Sequence, residues 1–242
     1  MKKVALVTGS SRGIGAATIK EFAASGYNVI INYLTSKEDA LKLKEEVEKK
    51  YNIKALVIQA DVSIEEDVKK LLQESLKEFG KIDVLVNNVG IAIDSTLEDK
   101  TVENFQLVLN TNLISAFLTC KYIGQEMCKN GSGSIVNVSS NTALDAYYPY
   151  GMDYDASKAG VISLTHNFAV VYAPYVRVNT IAPGWVKTDM NKELDEAFIK
   201  EECKHILLDR FAEPEEIAKE IVHIAESSYI NNSIIRVDGG KY

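Results

Sequence analysis

The chain has 242 residues, and this length suits one generous α/β domain better than two cramped ones. Hydrophobic residues make up 46% of it and charged residues 25%, with 14 Gly and only 4 Pro, which excludes a disordered or fibrous chain and provides for a sizeable core. The formal net charge of -7 leaves no basic surplus for a nucleic-acid or anionic-membrane surface, so a bound anion must be held by local features.

Apolar runs of strand length alternate with amphipathic helical stretches through most of the chain, which is typical of βαβ units and a parallel sheet. Seven runs rich in β-branched residues are predicted to be strands buried on both faces: Val4–Val7, Val29–Ile31, Ala55–Ile58, Val84–Val86, Ile135–Val138, Val176–Ile181 and Ile234–Val237. We therefore predict one α/β domain over residues 1–242, built on a single doubly wound parallel sheet of about seven strands with helices on both faces.

The stretches between these runs carry helix signals. Apolar residues spaced three and four apart predict a helix with one buried face after the third strand: Val68, Leu71, Leu72, Leu76 and Phe79. Ser63 with Glu66 has the pattern of a capping box just before it. The charge-rich stretch from Lys37 to Lys50 is predicted to be a solvated helix face, and Pro214 stands where the helix containing Ile217–Ala225 should begin.

A glycine-rich loop follows the first predicted strand, with the sequence Thr8-Gly9-Ser10-Ser11-Arg12-Gly13-Ile14-Gly15 and the spacing TGxxxGxG. Gly9 allows a sharp turn, Gly13 allows the backbone to approach a pyrophosphate, and Gly15 allows the next helix to pack closely on the sheet. Unpaired N–H groups at the start of that helix attract negative charge. The loop therefore predicts a dinucleotide site, with an ordinary tight turn as the alternative.

The end of the second predicted strand bears on which dinucleotide binds. It reads Ile30-Ile31-Asn32-Tyr33 and lacks the carboxylate that would bond a ribose 2′-OH and repel a 2′-phosphate. Arg12 brings a guanidinium to the glycine-rich loop, and charge-assisted contacts of this kind are worth roughly 1.5 to 3 kcal/mol. We therefore predict NADP(H). In the alternative, Arg12 and Asn32 are incidental, and the nearby acids Glu38 and Asp39 serve only the next helix.

Tyr154 and Lys158 form a candidate catalytic pair, because residues four apart on a helix share a face. Tyr33 and Lys37 have the same spacing but lie beside the predicted adenosine end of the site. Tyr154 instead opens the long helix after the fifth predicted strand, and Ser140 stands at the carboxyl end of that strand. Ligands bind at that edge of a doubly wound sheet, so only the second pair has a catalytic setting.

Taken together, these motifs resemble those of the short-chain dehydrogenase/reductase family over the whole chain, and they are most similar to the branch that contains the 3-oxoacyl-[acyl-carrier-protein] reductases. The matching stretches are Thr8–Gly15, Asp61-Val62, Asn87–Gly90, Asn112, Ser139-Ser140, Tyr154 with Lys158, Asn179, Pro183-Gly184 with Thr188, and Asp238–Gly240. The resemblance implies a Rossmann-like fold and an NADP(H)-dependent oxidoreductase of fatty acid biosynthesis that reduces a carbonyl to a hydroxyl by hydride transfer.

The resemblance also implies roles for individual residues. Tyr154 is the general acid, Lys158 bonds the nicotinamide ribose and lowers the tyrosine pKa, Ser140 orients the substrate carbonyl, and Asn112 supports a water-mediated proton relay. The implied cofactor-binding set is Gly9, Ser11, Arg12, Gly13, Ile14, Gly15, Asn32, Tyr33, Asp61, Val62, Asn88, Val89, Gly90, Tyr154, Lys158, Pro183, Gly184, Val186 and Thr188.

Elementary electrostatics agrees with the role implied for Lys158. An unperturbed tyrosine has a pKa near ~10, so lowering it by ~3 units requires about 4 kcal/mol. One positive charge at ~4 Å supplies roughly that energy at an effective dielectric near ~20.

Three features bear on the substrate. The segment between Ser140 and Tyr154 is one residue longer than is usual in this branch and carries Tyr147, Tyr148 and Tyr150. These tyrosines are predicted to line a pocket for an apolar or ring-shaped carbonyl compound. In the alternative, they are exposed and have no ligand role. Trp185 is predicted to add a wall to that pocket. The helical stretch from Asp189 to Leu208 is predicted to close over the site as a lid.

We expect the protein to bind a carbonyl substrate, which is either a small molecule or an acyl thioester. Acyl carrier proteins are acidic and should dock on a basic patch, yet only scattered charges such as Lys129 and Arg177 stand near the relevant helices. A free alcohol, sugar or steroid ketone therefore remains an alternative substrate, and a non-catalytic NADP-binding sensor or scaffold remains an alternative function. The apolar run Phe168–Tyr172 lies where the family forms a subunit interface, so we expect a homo-oligomer, by resemblance a homotetramer, with packing inside the chain as the alternative explanation of these residues.

Other chemistries have little support in the sequence. No apolar run approaches the ~18 residues of a membrane span, and the apolar run after Lys3 is too short for a signal-peptide core, so we expect no membrane partner and a cytoplasmic protein. Cys120, Cys128 and Cys203 lack CxxC spacing and are predicted to be buried thiols. The three histidines are scattered without ligand spacing, so we expect no metal site.

Overall fold

A computed structural model describes residues 2–192 and 194–241. The strands are β1 Val4–Val7, β2 Asn28–Tyr33, β3 Ala55–Gln59, β4 Val84–Asn87, β5 Gly133–Val138, β6 Val176–Pro183 and β7 Ile234–Val237. The α-helices are α1 Gly13–Ala24, α2 Lys37–Tyr51, α3 Glu65–Phe79, α4 Val102–Leu109, α5 Ser115–Lys129, α6 Met152–Tyr172, α7 Glu196–Cys203 and α8 Pro214–Glu226. Short 3₁₀ turns cover Asn141–Ala143, Pro149–Gly151 and Asp189–Asn191, and a π-helical turn, Asn110–Ile114, joins α4 to α5.

The strands form a single seven-stranded sheet in the order β3-β2-β1-β4-β5-β6-β7, and every pair is parallel. After β3 the chain crosses back over β1 and continues with β4 on its other side. Val7, the last residue of β1, pairs with Ile31 of β2 and Val86 of β4. The loops that follow β1 and β4 therefore diverge at a topological switch point, which is where ligands bind in sheets of this kind.

The core has two layers because successive side chains of a strand point to opposite faces of the sheet. Ala5 and Val7 of β1 belong to the layer under α1, α2 and α8, which includes Phe22 and Ile221. Leu6 belongs to the layer on the other face, with Leu71 of α3, Ile123 and Met127 of α5, and Ala169 of α6. This double covering explains why the strands read as nearly continuous apolar runs.

The predicted doubly wound sheet and all seven predicted strands are confirmed, and the structure extends five of the strands by one to three residues. Pro214 begins α8 as predicted, and the Glu216 carboxylate accepts a hydrogen bond from the Glu213 N–H at 2.9 Å. The apolar stripe of α3 turns inward at Val68 and Leu71.

The predicted capping box at Ser63 is wrong. Helix α3 begins at Glu65 after Ile64, with no side chain capping it. Ser63 instead directs both its N–H and its hydroxyl to Asp61 Oδ1, at 2.9 and 2.7 Å. The Asp61 carboxylate lies two residues before Ser63 and forms an Asx turn with it. Because a carboxylate is a strong acceptor, the Ser63 hydroxyl bonds to it and not to the helix amides.

The prediction of buried thiols holds for Cys120 alone, since Cys128 and Cys203 are partly exposed. Burial raises the pKa of the Cys120 thiol to about 12. Among the described residues, no helix is both long and apolar enough to cross a membrane.

Candidate active site

The glycine-rich loop turns sharply between β1 and α1. Gly9 and Gly13 adopt φ angles of +59° and +56°, which favour glycine. A Cβ on Gly9 would lie 2.8 Å from Val89 Cγ2, and one on Gly15 would lie 2.7 Å from the Gly9 carbonyl oxygen. Side chains at these two positions are therefore excluded by the close packing of the loops after β1 and β4.

The start of α1 is suited to an anion. Arg12 is the N-cap residue and makes no side-chain cap bond, and the first turn contains no acidic residue. The first N–H groups of a helix have no partner within it, so the amides that follow Arg12 offer hydrogen bonds and a positive dipole end. A Cβ on Gly13 would be in ordinary contact with Thr188 Cγ2 at 3.5 Å, so it is the positive φ that favours glycine at this position. The residues present fit a dinucleotide, with Ser11 and Ile14 in the same loop.

Asn32, at the end of β2, has its side chain engaged by the protein. Its Oδ1 accepts a hydrogen bond from the Gly9 N–H at 3.0 Å, and its Nδ2 donates to the Ala60 carbonyl at 3.0 Å. The residue is 1% exposed, and its neighbour Tyr33 is also buried. Asn32 therefore holds the glycine-rich loop in place through its hydrogen bond with Gly9. Its direct contact with a cofactor stays a prediction.

The Arg12 side chain is exposed to solvent beside the glycine-rich loop. Its side chain is 62% exposed, and its Nε lies 3.8 Å from Asp189 Oδ2. A long, exposed pair of this kind is worth little, so the guanidinium is free to turn to a stronger anionic partner.

The other predicted cofactor contacts lie along the same edge of the sheet. The Asn88 side chain donates to the carbonyls of Thr8 and Gly9, at 3.0 and 3.1 Å, and thereby ties the loop after β4 to the loop after β1. Asp61 follows β3 with its Oδ1 bound to Ser63, and Val62 beside it is buried.

The loop after β6 forms the opposite edge of the cleft. Gly184 follows Pro183, and a Cβ there would lie 2.7 Å from Asp238 Cβ, so this turn requires glycine for packing. Val186 is buried and forms a parallel bridge with Ala212. Thr188 reaches Gly13, which brings this edge against the glycine-rich loop.

Tyr154, Lys158 and Ser140 are brought together where β5 ends and α6 begins. The Ser140 hydroxyl lies close enough to the Tyr154 phenol to lower its pKa, and its Oγ accepts hydrogen bonds from the Thr142 N–H and hydroxyl at 3.3 and 2.9 Å. Lys158 is 3% exposed, and its Nζ donates to the Val138 carbonyl at 2.9 Å and lies 5.5 Å from the centroid of the Tyr154 ring. A Cβ on Gly90 would be 3.1 Å from Lys158 Nζ, so the loop after β4 closes this group from above.

Asn112 faces the same group from the π-helical turn between α4 and α5. Its Oδ1 accepts from the Ile91 N–H at 2.8 Å, and its Nδ2 donates to the Ile91 carbonyl at 2.9 Å and to Ser157 Oγ at 3.0 Å. A Cβ on Gly90 would be 3.7 Å from its Oδ1. The amide thus fixes the loop that covers Lys158, while its part in a proton relay stays a prediction.

The sequence reasoning missed the π-helical turn itself. Such turns insert one extra residue into a helix and are frequent at functional sites. The sequence Asn110–Ile114 contains no proline or glycine that would mark an interruption, so no sequence signal was available.

Burial dominates the electrostatics of the catalytic group. It raises the pKa of Tyr154 to about 12, with a further increase from the charges of Asp155 and Asp94 and an opposing decrease from the Ser140 hydroxyl. Burial also lowers the pKa of Lys158 to about 8. In this structure burial sets the direction of the Tyr154 pKa, and the lowering of that pKa by Lys158 stays a prediction.

Aromatic side chains border the site on the substrate side. Tyr148 donates from its hydroxyl to Asp94 Oδ2 at 3.2 Å, and its ring meets Trp185 edge-on at 6.2 Å. Trp185 stacks on Phe211 and donates to Glu202 on α7 at 2.7 Å. Trp185 therefore links the tyrosine loop to the predicted lid, whereas Tyr147 is 84% exposed.

The predicted lid contains the turn Asp189–Asn191 and helix α7, and Glu193 within it lies outside the described residues. Between this segment and α1 is a cavity of about 530 Å³ that is lined in part by Gly13, Thr188 and Ile199. None of the four predicted catalytic residues lines that cavity. Closure of the lid stays a prediction. No group of three His, Cys, Asp or Glu side chains in the described part of the chain is arranged to hold a metal ion.

The chain is similar to known proteins over most of its length. The family model described as short chain dehydrogenase matches residues 3–199. The 3-oxoacyl-[acyl-carrier-protein] reductase FabG of Staphylococcus epidermidis is 37% identical over 245 residues, which cover 100% of this chain and 100% of that protein. The 3-oxoacyl-[acyl-carrier-protein] reductase of Synechocystis sp. is 38% identical over 242 residues, which cover 98% of this chain and 96% of that protein.

Two solved structures are similar along nearly the whole chain. ElxO with NADP bound superposes with a TM-score of 0.91 at 32% identity, covering 99% of this chain and 98% of that one. Levodione reductase superposes with a TM-score of 0.92 at 32% identity, covering 98% of this chain and 96% of that one.

Proposed function

This chain belongs to the short-chain dehydrogenase family, and on that premise we propose that it is an NADP(H)-dependent oxidoreductase that reduces the carbonyl of a 3-oxoacyl thioester to a hydroxyl. The observation that carries the proposal is the convergence of Tyr154, Ser140 and Lys158 beside Gly90, at the edge of the sheet where the glycine-rich loop lies. Relatives of similar length named 3-oxoacyl-[acyl-carrier-protein] reductase support the substrate class.

The cofactor is held along the switch point. The amides at the start of α1 would receive the pyrophosphate, and Arg12 would bind a 2′-phosphate. The Asn32 side chain at the end of β2 is buried and bonded to Gly9 and Ala60, so the choice of NADP(H) rests on Arg12. ElxO, a structural neighbour, binds NADP, which supports the same choice here. When bound, NADPH supplies the hydride that reduces the carbonyl carbon.

The side chains of the catalytic group handle the proton. The Tyr154 phenol donates its proton to the carbonyl oxygen as the hydride arrives, and the Ser140 hydroxyl orients that oxygen. A pKa near 12 keeps the phenol protonated at neutral pH, which is the form that a general acid needs in the reducing direction. The Lys158 amine is fixed by the Val138 carbonyl beneath the Tyr154 ring and bonds the nicotinamide ribose.

A free ketone is a second candidate substrate, and the charges of the surface favour it. Arg177 is not available to an acidic carrier protein, because its guanidinium donates to the carbonyls of Ile224, Ala225 and Ile230. Lys129 is engaged by Glu126 at 2.9 Å. Asp94 and Asp155 add negative charge near Tyr154, which would repel a phosphate-bearing carrier.

The assembly is proposed to be a cytoplasmic homotetramer. Val170 and Val171 of α6 are 73% and 69% exposed, and Phe117 of α5 is 38% exposed. An apolar face of this kind is stabilised by burial against another copy of the chain. Size-exclusion chromatography with light scattering distinguishes the tetramer from a monomer.

The proposed function is tested by following NADPH oxidation with a panel of carbonyl compounds. The panel contains an acetoacetyl group on acyl carrier protein, the same group on coenzyme A, and cyclic and sugar ketones as free molecules. We expect the thioesters to be the best substrates, with Tyr154→Phe inactive on all of them. A preference for a free ketone selects the second candidate, and a protein that binds NADPH but reduces nothing is a sensor or scaffold.

A further inference from the structure

Lys100 and Asp153 form a buried ion pair that the proposed mechanism does not use. Their side chains are 5% and 0% exposed, and Lys100 Nζ lies 3.0 Å from Asp153 Oδ1. The second carboxylate oxygen, Asp153 Oδ2, has no hydrogen-bond partner among the described residues. Buried pairs with incomplete hydrogen bonding add little to stability compared with apolar side chains of the same size. A gain in stability therefore does not explain why these two charged side chains are buried together.

The pair joins two segments of the active site. Lys100 lies near the end of the loop between β4 and α4, and its Nζ also donates to the Ile93 carbonyl at 2.6 Å. Asp153 lies in the first turn of α6, and the same Oδ1 atom accepts a hydrogen bond from the Tyr154 N–H at 3.0 Å. One carboxylate oxygen thus connects the loop to the backbone of the proposed general acid.

The backbone at Tyr154 needs such a partner. Helix α6 begins after Gly151, which has no side chain to cap the first N–H groups. A second bond, from the Ser95 N–H to the Tyr150 carbonyl at 3.1 Å, joins the same two segments. The loop begins at Gly90 and Ile91, which contact Lys158 and Asn112. Any slip between the loop and α6 therefore moves Tyr154 and Lys158 relative to Gly90 and Asn112.

We propose that the Lys100–Asp153 pair is a positioning device for Tyr154, which fixes the first turn of α6 against the loop after β4 and neutralises the Asp153 carboxylate that bonds the Tyr154 backbone. The inference rests on the proposed function, in which Tyr154 exchanges the proton. The charged groups that face the phenol are Lys158 and Asp155 on α6 and Asp94 on the loop, and the hydroxyl that faces it is Ser140. Asp153 and Asp155 flank Tyr154 in the sequence, and Lys100 balances the charge of Asp153.

The test uses alcohol oxidation, in which the phenolate is the base and the rate rises with pH toward the pKa of Tyr154. Lys100→Met leaves the Asp153 carboxylate unbalanced, so the rising limb should move to higher pH by about one unit. Asp153→Asn leaves the Lys100 ammonium unbalanced, so the limb should move to lower pH by a similar amount. The double variant Lys100→Met/Asp153→Asn removes both charges and should return the limb close to its wild-type position.

A change of fold alone gives no reason for shifts of opposite sign, so opposite signs identify the charge effect of the pair, and hydrogen exchange tests the positioning. Lys81→Met, which removes the same charge from the remote Lys81–Asp83 pair, should leave the limb unchanged. Hydrogen exchange provides a readout without turnover: exchange should quicken in residues 91–100 and 152–158 in each single variant.

Shifts of equal sign, or no shift with unchanged exchange, overturn the inference. If one single variant fails to fold, the double variant and the remaining single variant still give the sign of the shift. A wild-type protein without oxidoreductase activity would instead contradict the proposed function, so the two failures are distinguishable.

Discussion

Replacing Asn32 tests whether the hydrogen bonds of this side chain hold the glycine-rich loop in place. Asn32→Ala leaves the Gly9 N–H and the Ala60 carbonyl without their partners, each of which now lies 3.0 Å from the amide. A buried polar group that loses its partner costs about 1–3 kcal/mol, so two of them cost roughly 2–4 kcal/mol when one stays partly hydrated. For a chain of this size that loss lowers Tm by roughly 5–15 °C.

Asn32→Asp separates the structural role from a contact with the cofactor. The carboxylate can still accept from Gly9 but cannot donate to Ala60, and it places a charge at a position that is 1% exposed. We expect a loss of stability at least as large as that of Asn32→Ala, and a weaker affinity for NADPH and NADH in equal proportion.

Differential scanning calorimetry and nicotinamide fluorescence titration measure the two effects. Asn167→Ala is the matched control, because this exposed amide bonds only its own helix at Ser163, and its Tm should stay within about 1 °C of wild type. An Asn32→Asp variant with unchanged Tm and a reversed preference for NADH would refute the reasoning, since its carboxylate would then face the ribose.

Three further outcomes follow from the site. In Gly90→Ala the new methyl group approaches Lys158 Nζ to 3.1 Å, so turnover should fall by about tenfold or more while Tm changes little, as steady-state kinetics and calorimetry would show. Asp155 raises the pKa of Tyr154, so Asp155→Asn should move the rising limb of the alcohol-oxidation pH profile to lower pH; a move to higher pH contradicts the assignment. Burial holds the pKa of Cys120 near 12, so a thiol reagent at neutral pH should label Cys128 and Cys203 in the native protein and Cys120 only after unfolding, as mass spectrometry would report.

The fold was predictable because burial on both faces leaves a continuous signal in each strand. Runs such as Val4–Val7 and Val176–Ile181 lie between two layers of helices, and their β-branched residues identify them without reference to the rest of the chain. The ends of elements depend on competition among nearby side chains. Ser63 shows this, because the Asp61 carboxylate captures a hydroxyl that the pattern assigned to the helix.

The members of the site were predictable from their spacing, whereas their electrostatics was not. A separation of four residues places Lys158 on the same helical face as Tyr154, and the structure brings both to Ser140. Spacing does not report hydration, and burial raises the pKa of the phenol while lowering that of the amine. The Lys100–Asp153 pair was missed for a related reason: its members are 53 residues apart and meet only when the loop after β4 folds onto α6.

The central claim is that the Tyr154 phenol delivers the proton during carbonyl reduction. The most direct measurement compares turnover and NADPH affinity in Tyr154→Phe and in the wild-type protein, with the best substrate of the panel. Removing a general acid costs roughly 10²–10⁴-fold, so turnover should fall by that amount while the dissociation constant of NADPH stays within about twofold. A phenylalanine variant that keeps most of its turnover would contradict the account.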